Sequence, residues 1–149
     1  MKVLFVHQNC PGQFKHLAPR VAASEGNEAI FITRPGKPDL PGVRKVEYEP
    51  ARESPKSTHR YLRLTEEGVL NGQAAARVAL QLKKDGFKPD VIVAHVGWGE
   101  ALYLKSVWTK TPLLGYFEWF YHPFGSDVDF DPEKPPSLDT ICRLNTRNC

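Results

Sequence analysis

The run Val3-Leu4-Phe5-Val6 is continuous and apolar, as a strand buried on both faces should be. Such a strand belongs inside a parallel sheet covered by helices, and the rest of the chain repeats the theme. Phe14 to Ser24 reads as a helix, with Phe14, Leu17, Ala18 and Val21 at helical spacing and Gly26-Asn27 as its stop. Ala29 to Thr33 is a second strand, and Val43 to Tyr48 a weaker third one beyond a proline- and glycine-rich loop. Glu49 to His59 is polar, charged and proline-bearing, and reads as a long flexible loop. A long helix is predicted over Arg60 to Lys84, with Tyr61, Leu64, Gly68, Ala75, Ala79 and Leu82 on the face opposite Arg63, Glu67, Gln73, Arg77, Gln81 and Lys84. Val91 to Ala94 is the fourth strand, Glu100 to Trp108 a helix and Leu113 to Phe117 the fifth strand. Ser137-Leu138-Asp139-Thr140 starts a capped final helix running to Cys149, short enough to suggest that the helix is truncated.

Strand–helix alternation predicts an α/β fold: a Rossmann-like three-layer sandwich with a mostly parallel, twisted sheet of order 3-2-1-4-5, one domain over residues 1–149. The switch point of that order lies between the first strand, which leads into His7, and the fourth, which leads into His95. Ligands of open α/β sheets bind at the carboxyl ends of strands, at the switch point. The loops His7 to Phe14 and His95 to Glu100 therefore form one candidate site.

In the first loop Gln8, Asn9 and Gln13 offer amide donors and acceptors, and Gly12 allows close backbone approach. A helix beginning near Gln13 would point free N–H groups at an anion such as a phosphate. The alternative is a plain strand-to-helix turn, since neither dinucleotide-binding nor P-loop glycine pattern is present. In the second loop His95 ends the strand, and Gly97 and Gly99 flank Trp98, which reads as an aromatic wall beside a ring-shaped ligand. A backbone-bonded histidine and a core tryptophan are the competing readings. Glu118 stands at the carboxyl end of the fifth strand, ahead of Trp119, Phe120, Tyr121 and His122. A carboxylate near a histidine suits acid/base or orienting work. Trp119 and Phe120 otherwise cover the core.

Other chemistries are weaker. Lys and Arg are scattered rather than clustered, which gives no support to nucleic-acid binding. Three cysteines, Cys10, Cys142 and Cys149, with no C-x-x-C pair, argue against a disulfide framework or structural zinc. Nothing orients Cys10 and His7 as a nucleophile pair, and His7, His95, His122 and Cys10 lack metal-ligand spacing, so no metal is expected. Asp127, Asp129 and Asp131 lack the glycine and distant glutamate of an EF-hand. The apolar start is too short for a signal peptide and no run is long enough for a membrane span, so the default compartment is the cytoplasm.

Four segments together resemble the N-terminal domain of a bacterial family 4 glycosyltransferase group: His7-Gln8-Asn9-x-Pro-Gly-Gln-Phe-x-His-Leu, Thr58-His59-x-Tyr-Leu, Pro89-Asp90-Val91-Ile92-x-Ala94-His95-x-Gly-Trp-Gly-Glu100 and Gly115-Tyr116-Phe117-Glu118-x-x-Tyr121. The likeness continues through Gly125-x-Asp127-Val128-x-Phe130-Asp131-Pro132. The resemblance implies a GT-B enzyme, in which two Rossmann-like domains face each other across a cleft and this chain supplies the acceptor-side half. It implies transfer of a hexosyl group from a nucleotide sugar, a co-substrate rather than a cofactor, to a sugar or lipid-linked acceptor hydroxyl, with retention of configuration. On that footing His95 contacts the donor sugar, and the loop from Gln8 to Gln13 approaches the donor phosphates. Read from their place at the site as well, Glu118 and His122 would position or deprotonate the acceptor hydroxyl, Trp98 would form a wall, and Gly99 and Tyr121 would help bind substrate. The sequence departs from the wider family in two places: Pro11-Gly12 stands where a Gly-Gly pair is common, and Glu118 where many relatives have a histidine. The resemblance further implies that this chain alone is inactive, that a C-terminal domain carries most nucleotide contacts, and that a lipid-linked acceptor would bring peripheral membrane association. A face left open by that partner domain would allow dimerisation. The alternative function is a stand-alone nucleotide- or sugar-binding module without catalysis.

Overall fold

A computed structural model describes residues 1–118 and 120–147, the side chain of Arg147 excepted. Trp119, read above as a core cover, and Cys149, the expected end of the last helix, lie outside the described residues. The elements in chain order are β1 (Lys2–Val6), a single 3-10 turn (Gly12–Phe14), α1 (Leu17–Ala22), β2 (Glu28–Thr33), β3 (Arg44–Glu47), α2 (Arg63–Lys84), β4 (Val91–His95), α3 (Leu104–Val107), β5 (Leu113–Tyr116) and α4 (Leu138–Arg147). The five strands form one parallel sheet in the order β3-β2-β1-β4-β5, as the alternation predicted.

Two apolar layers follow from the period of two along each strand. Leu4, Val6, Ile30, Ile32, Ile92 and Ala94 point to the side carrying α2 and α3. Val3, Phe5, Phe31 and Val93 point to the other, where Phe14 and Ala18 cover them. α2 approaches the sheet through Ala74, Ala75, Ala79 and Leu82, three of them small enough to let the helix sit close. Leu64, expected on that buried face, is exposed, and Asn71 and Gly72 are buried in its place. Tyr61 precedes the helix altogether.

Three other expectations shift. The helix predicted over Phe14–Ser24 is a 3-10 turn followed by a separate short α1. Pro19 explains the break: without an N–H it is tolerated only in a first turn, where it sits here. The helix expected over Glu100–Trp108 contracts to Leu104–Val107, because Glu100 is drawn into the core rather than placed on a helical surface. The polar segment 49–59 is tied down rather than loose. The Glu66 carboxylate accepts hydrogen bonds from Arg52, Ser54 Oγ and Thr58 Oγ1 at 2.6, 2.9 and 2.5 Å. Those donors hold Glu66 down to a pKa of about 2. Among the described residues no helix is long and apolar enough to cross a membrane.

Candidate functional site

The register of β1 on β4 sets Val6 level with Ala94, so the next residues, His7 and His95, stand side by side at the carboxyl edge of the sheet. Both are buried, with ring centroids 4.5 Å apart. Each is oriented by the same local device. The backbone N–H of Asn9 donates to Nδ1 of His7 at 2.8 Å, and that of Gly97 donates to Nδ1 of His95 at 3.2 Å. A backbone N–H can only donate, so each Nδ1 is the unprotonated nitrogen and each Nε2 carries the hydrogen.

The two Nε2–H groups converge on Glu118, one through Gln13 and one directly, and the contact between the two imidazoles completes the ring. His7 donates from Nε2 to Oε1 of Gln13 at 2.6 Å, and the Gln13 amide donates to Oε1 of Glu118 at 2.8 Å. The other oxygen of Glu118 accepts from Nε2 of His95 at 3.2 Å. Residues 7, 13, 95 and 118, from three strand ends and one turn, thus form a ring around the point where the sheet order reverses. Burial, then the neighbouring His95, keeps the His7 pKa below its ordinary value. The Gln13 amide and His95 hold the Glu118 carboxyl below the usual range. Glu118 is therefore an anion at neutral pH, better suited to accepting a hydrogen bond than to removing a proton.

Beside the ring lies a cleft of about 930 Å³. Gln8, His95, Trp98, Gly99, Glu118 and Tyr121 line it. Asn9, Gly12, Gln13 and His122 are not among the lining residues. Asn9 serves His7 through its backbone, and Gln13 closes the ring. A Cβ on Gly12 would lie 2.8 Å from the His7 ring, so the space saved there is taken up by that imidazole. The His122 ring packs on Phe120, and its carbonyl accepts from Ser126 Oγ. Trp98 is 38 % exposed and stacks with His95, centroids 6.4 Å apart and planes 20° apart.

The Gly97–Glu100 loop is fixed from behind by residues that sequence reasoning left aside. Asn71 of α2 donates its amide to the Trp98 carbonyl at 3.0 Å. Gly99, at φ +99°, lies so close to α2 that a Cβ would meet the Gly68 carbonyl oxygen at 2.1 Å. A Cβ on Gly72 would meet the Gly99 oxygen at 2.7 Å. Glu100 is fully buried, accepts a hydrogen bond from the Tyr48 hydroxyl through Oε1, and leaves Oε2 without a partner among the described residues. Burial pushes its carboxyl pKa up and, with Glu100 beside it, pushes the Tyr48 hydroxyl up as well. Tyr48 and Glu100 are far apart in the chain, and no local pattern pairs them. The histidine ring is different: the two strand-end histidines and the strand order signal it directly.

No group of three or more His, Cys, Asp or Glu able to hold a metal occurs among the described residues. A family model described as glycosyl transferase family 4 group matches residues 25–149. No curated protein matches the chain.

Proposed function

The chain belongs to the glycosyl transferase family 4 group, and from that premise we propose that it is the acceptor-side half of a GT-B enzyme that moves a hexosyl unit from a nucleotide sugar to an acceptor hydroxyl with retention. The observation that carries the reading is the circuit of His7, Gln13, Glu118 and His95 at the switch point, opening on a cleft of about 930 Å³. In this reading the donor sugar sits against Trp98 and takes the Nε2–H of His95 in place of Glu118. A buried neutral donor at that position stabilises negative charge that develops as the diphosphate departs, without a proton having to move first. Glu118, half-exposed at its side chain and held through Gln13 and His95, then accepts from the acceptor hydroxyl. Tyr121 flanks that position in the cleft and His122 stands next to it in the chain. Gln8 borders the donor phosphates.

A second α/β domain facing the cleft would hold most of the nucleotide, while this chain supplies contacts to the sugar and diphosphate, so it binds a sugar donor by itself but does not turn it over alone. Equilibrium dialysis with radiolabelled uridine, guanosine and adenosine diphosphohexoses tests this. The expected result is saturable binding of at least one of them, weakened at least tenfold by His95→Ala, with no release of free sugar. Turnover by this chain alone would favour a complete enzyme, and failure of every nucleotide hexose to bind would overturn the reading.

A further inference from the structure

Arg34 is the residue directly after β2, and its backbone N–H donates to the Gln8 carbonyl at 3.3 Å. That bond carries β2 one step further alongside the His7–Gln8 turn and brings the arginine to the wall of the same cleft that His95 and Glu118 line. Half-buried, its guanidinium makes no hydrogen bond and no ion pair among the described residues. The second arginine of the cleft, Arg52, is already committed to Glu66 at 2.6 Å. The buried Glu100 carboxyl feels Arg34 electrostatically without forming an ion pair with it, has one oxygen given to Tyr48, and is pushed by burial toward its neutral form. Glu53 and Glu67 line the cleft too, and neither pairs with Arg34. A guanidinium so placed retains its whole donor fork, which matches the planar or tetrahedral oxygens of a carboxylate or phosphoryl group in bidentate fashion.

We propose that Arg34 is the anion-binding residue of the acceptor subsite, and that the acceptor carries an oxyanion, either a carboxylate or a phosphoryl group, near the hydroxyl that receives the sugar. The proposal rests on the transferase reading of the cleft and narrows it from any hydroxyl acceptor to an acidic one.

The test measures anion binding without any donor. The full chain is titrated with inorganic pyrophosphate and, separately, with glucuronate, and the arginine Nε–H signals are followed by NMR. At least one probe is expected to shift the Arg34 signal saturably, and Arg34→Gln should weaken that probe at least tenfold. Arg77→Gln, which removes the same charge from α2 outside this cleft, should leave it within twofold. Pyrophosphate binding that a saturating nucleotide hexose leaves in place identifies a phosphoryl acceptor, and binding of glucuronate alone a carboxylate one; pyrophosphate that the nucleotide hexose displaces assigns Arg34 to the donor phosphates and overturns the proposal. If neither probe binds, if Arg34→Gln binds like the parent, or if Arg77→Gln loses as much, the proposal is overturned. Donor binding that depends on His95 would survive each of those results, so failure here is distinct from failure of the transferase reading.

Discussion

The imidazoles of His7 and His95 lie 4.5 Å apart across β1 and β4, each with Nδ1 accepting the backbone N–H two residues further on. The pair is a consequence of register: in a parallel sheet, residues level on adjacent strands project to the same side. Two rings this close cannot both be charged at low cost, because like charges in a buried position each disfavour the other.

Burial of His7, with that repulsion added, has a sign in stability. The His7 pKa is lowered from 6.5, so the unfolded chain binds more protons than the folded one between that value and the lower folded pKa. Stability contributed by neutral His7 is therefore present above about pH 6.5 and is lost as the pH falls through that window. Melting of parent and His7→Gln at pH 7.5 and 5.5 checks this. The parent is expected to lose more on acidification than the variant, and equal losses would show that His7 is not the group responsible.

The loop bearing Trp98 makes a sharper steric prediction. Gly99→Ala places a Cβ at 2.1 Å from the Gly68 oxygen and in a left-handed backbone conformation. We expect it to cost more than about 3 kcal/mol, the combined scale of strain and overpacking. Gly68→Ala meets only ordinary contacts, the nearest at 3.6 Å, and replaces a helical glycine. It should cost nothing or stabilise by up to about 1 kcal/mol. Chemical denaturation of both variants reads the contrast; similar losses at the two positions would contradict the packing described.

Tyr48 and Glu100 give a third test. Tyr48→Phe removes the hydrogen bond of a fully buried carboxyl and should cost roughly 1–3 kcal/mol. Glu100→Gln keeps the shape without the charge. The carboxyl pKa is raised from 4.5, so the folded state binds more protons above that value, and the parent loses stability as the pH rises from about 4.5 toward the folded pKa. Glu100→Gln should remove that slope. Parallel melting curves of parent and variant from pH 4.5 to 8 would argue against a buried acid.

Sequence pattern reached the sheet order because Val3–Val6, Ala29–Thr33 and Val91–Ala94 are apolar throughout and separated by segments long enough for crossovers. It reached His95, Glu118 and the Gly-Trp-Gly loop because strand ends at a switch point are predictable from that order alone. It did not reach what lies behind the loop. Asn71 reads as a polar residue on a helix until the Trp98 carbonyl is there to take its amide. Glu100 reads as a surface helix start until Tyr48 reaches it from the end of β3. Such partners are set by tertiary packing, and helix periodicity carries no trace of them. Pro19 was visible, and its power to split the first helix follows from its missing N–H.

The anchored segment after β3 predicts a response to acid. Glu66, at a pKa of about 2, stabilises the 52–58 segment fully above about pH 4.5 and loses that contribution as the pH falls toward 2. Amide exchange of residues 54–58 should accelerate across that interval, and Glu66→Gln should accelerate it already at neutral pH. Unchanged exchange in the variant would mean that the segment is held by something else.

The central claim is that His95 is a neutral ring presenting its Nε2–H to the sugar site. Nitrogen-15 NMR of the histidine side chains, with and without a nucleotide hexose, measures it directly. The expected result is an unprotonated Nδ1 and a protonated Nε2 for His95 in the free protein, and a change at Nε2 on donor binding that leaves Nδ1 in place. A proton on Nδ1, or a His95 signal that no nucleotide hexose moves, would contradict it.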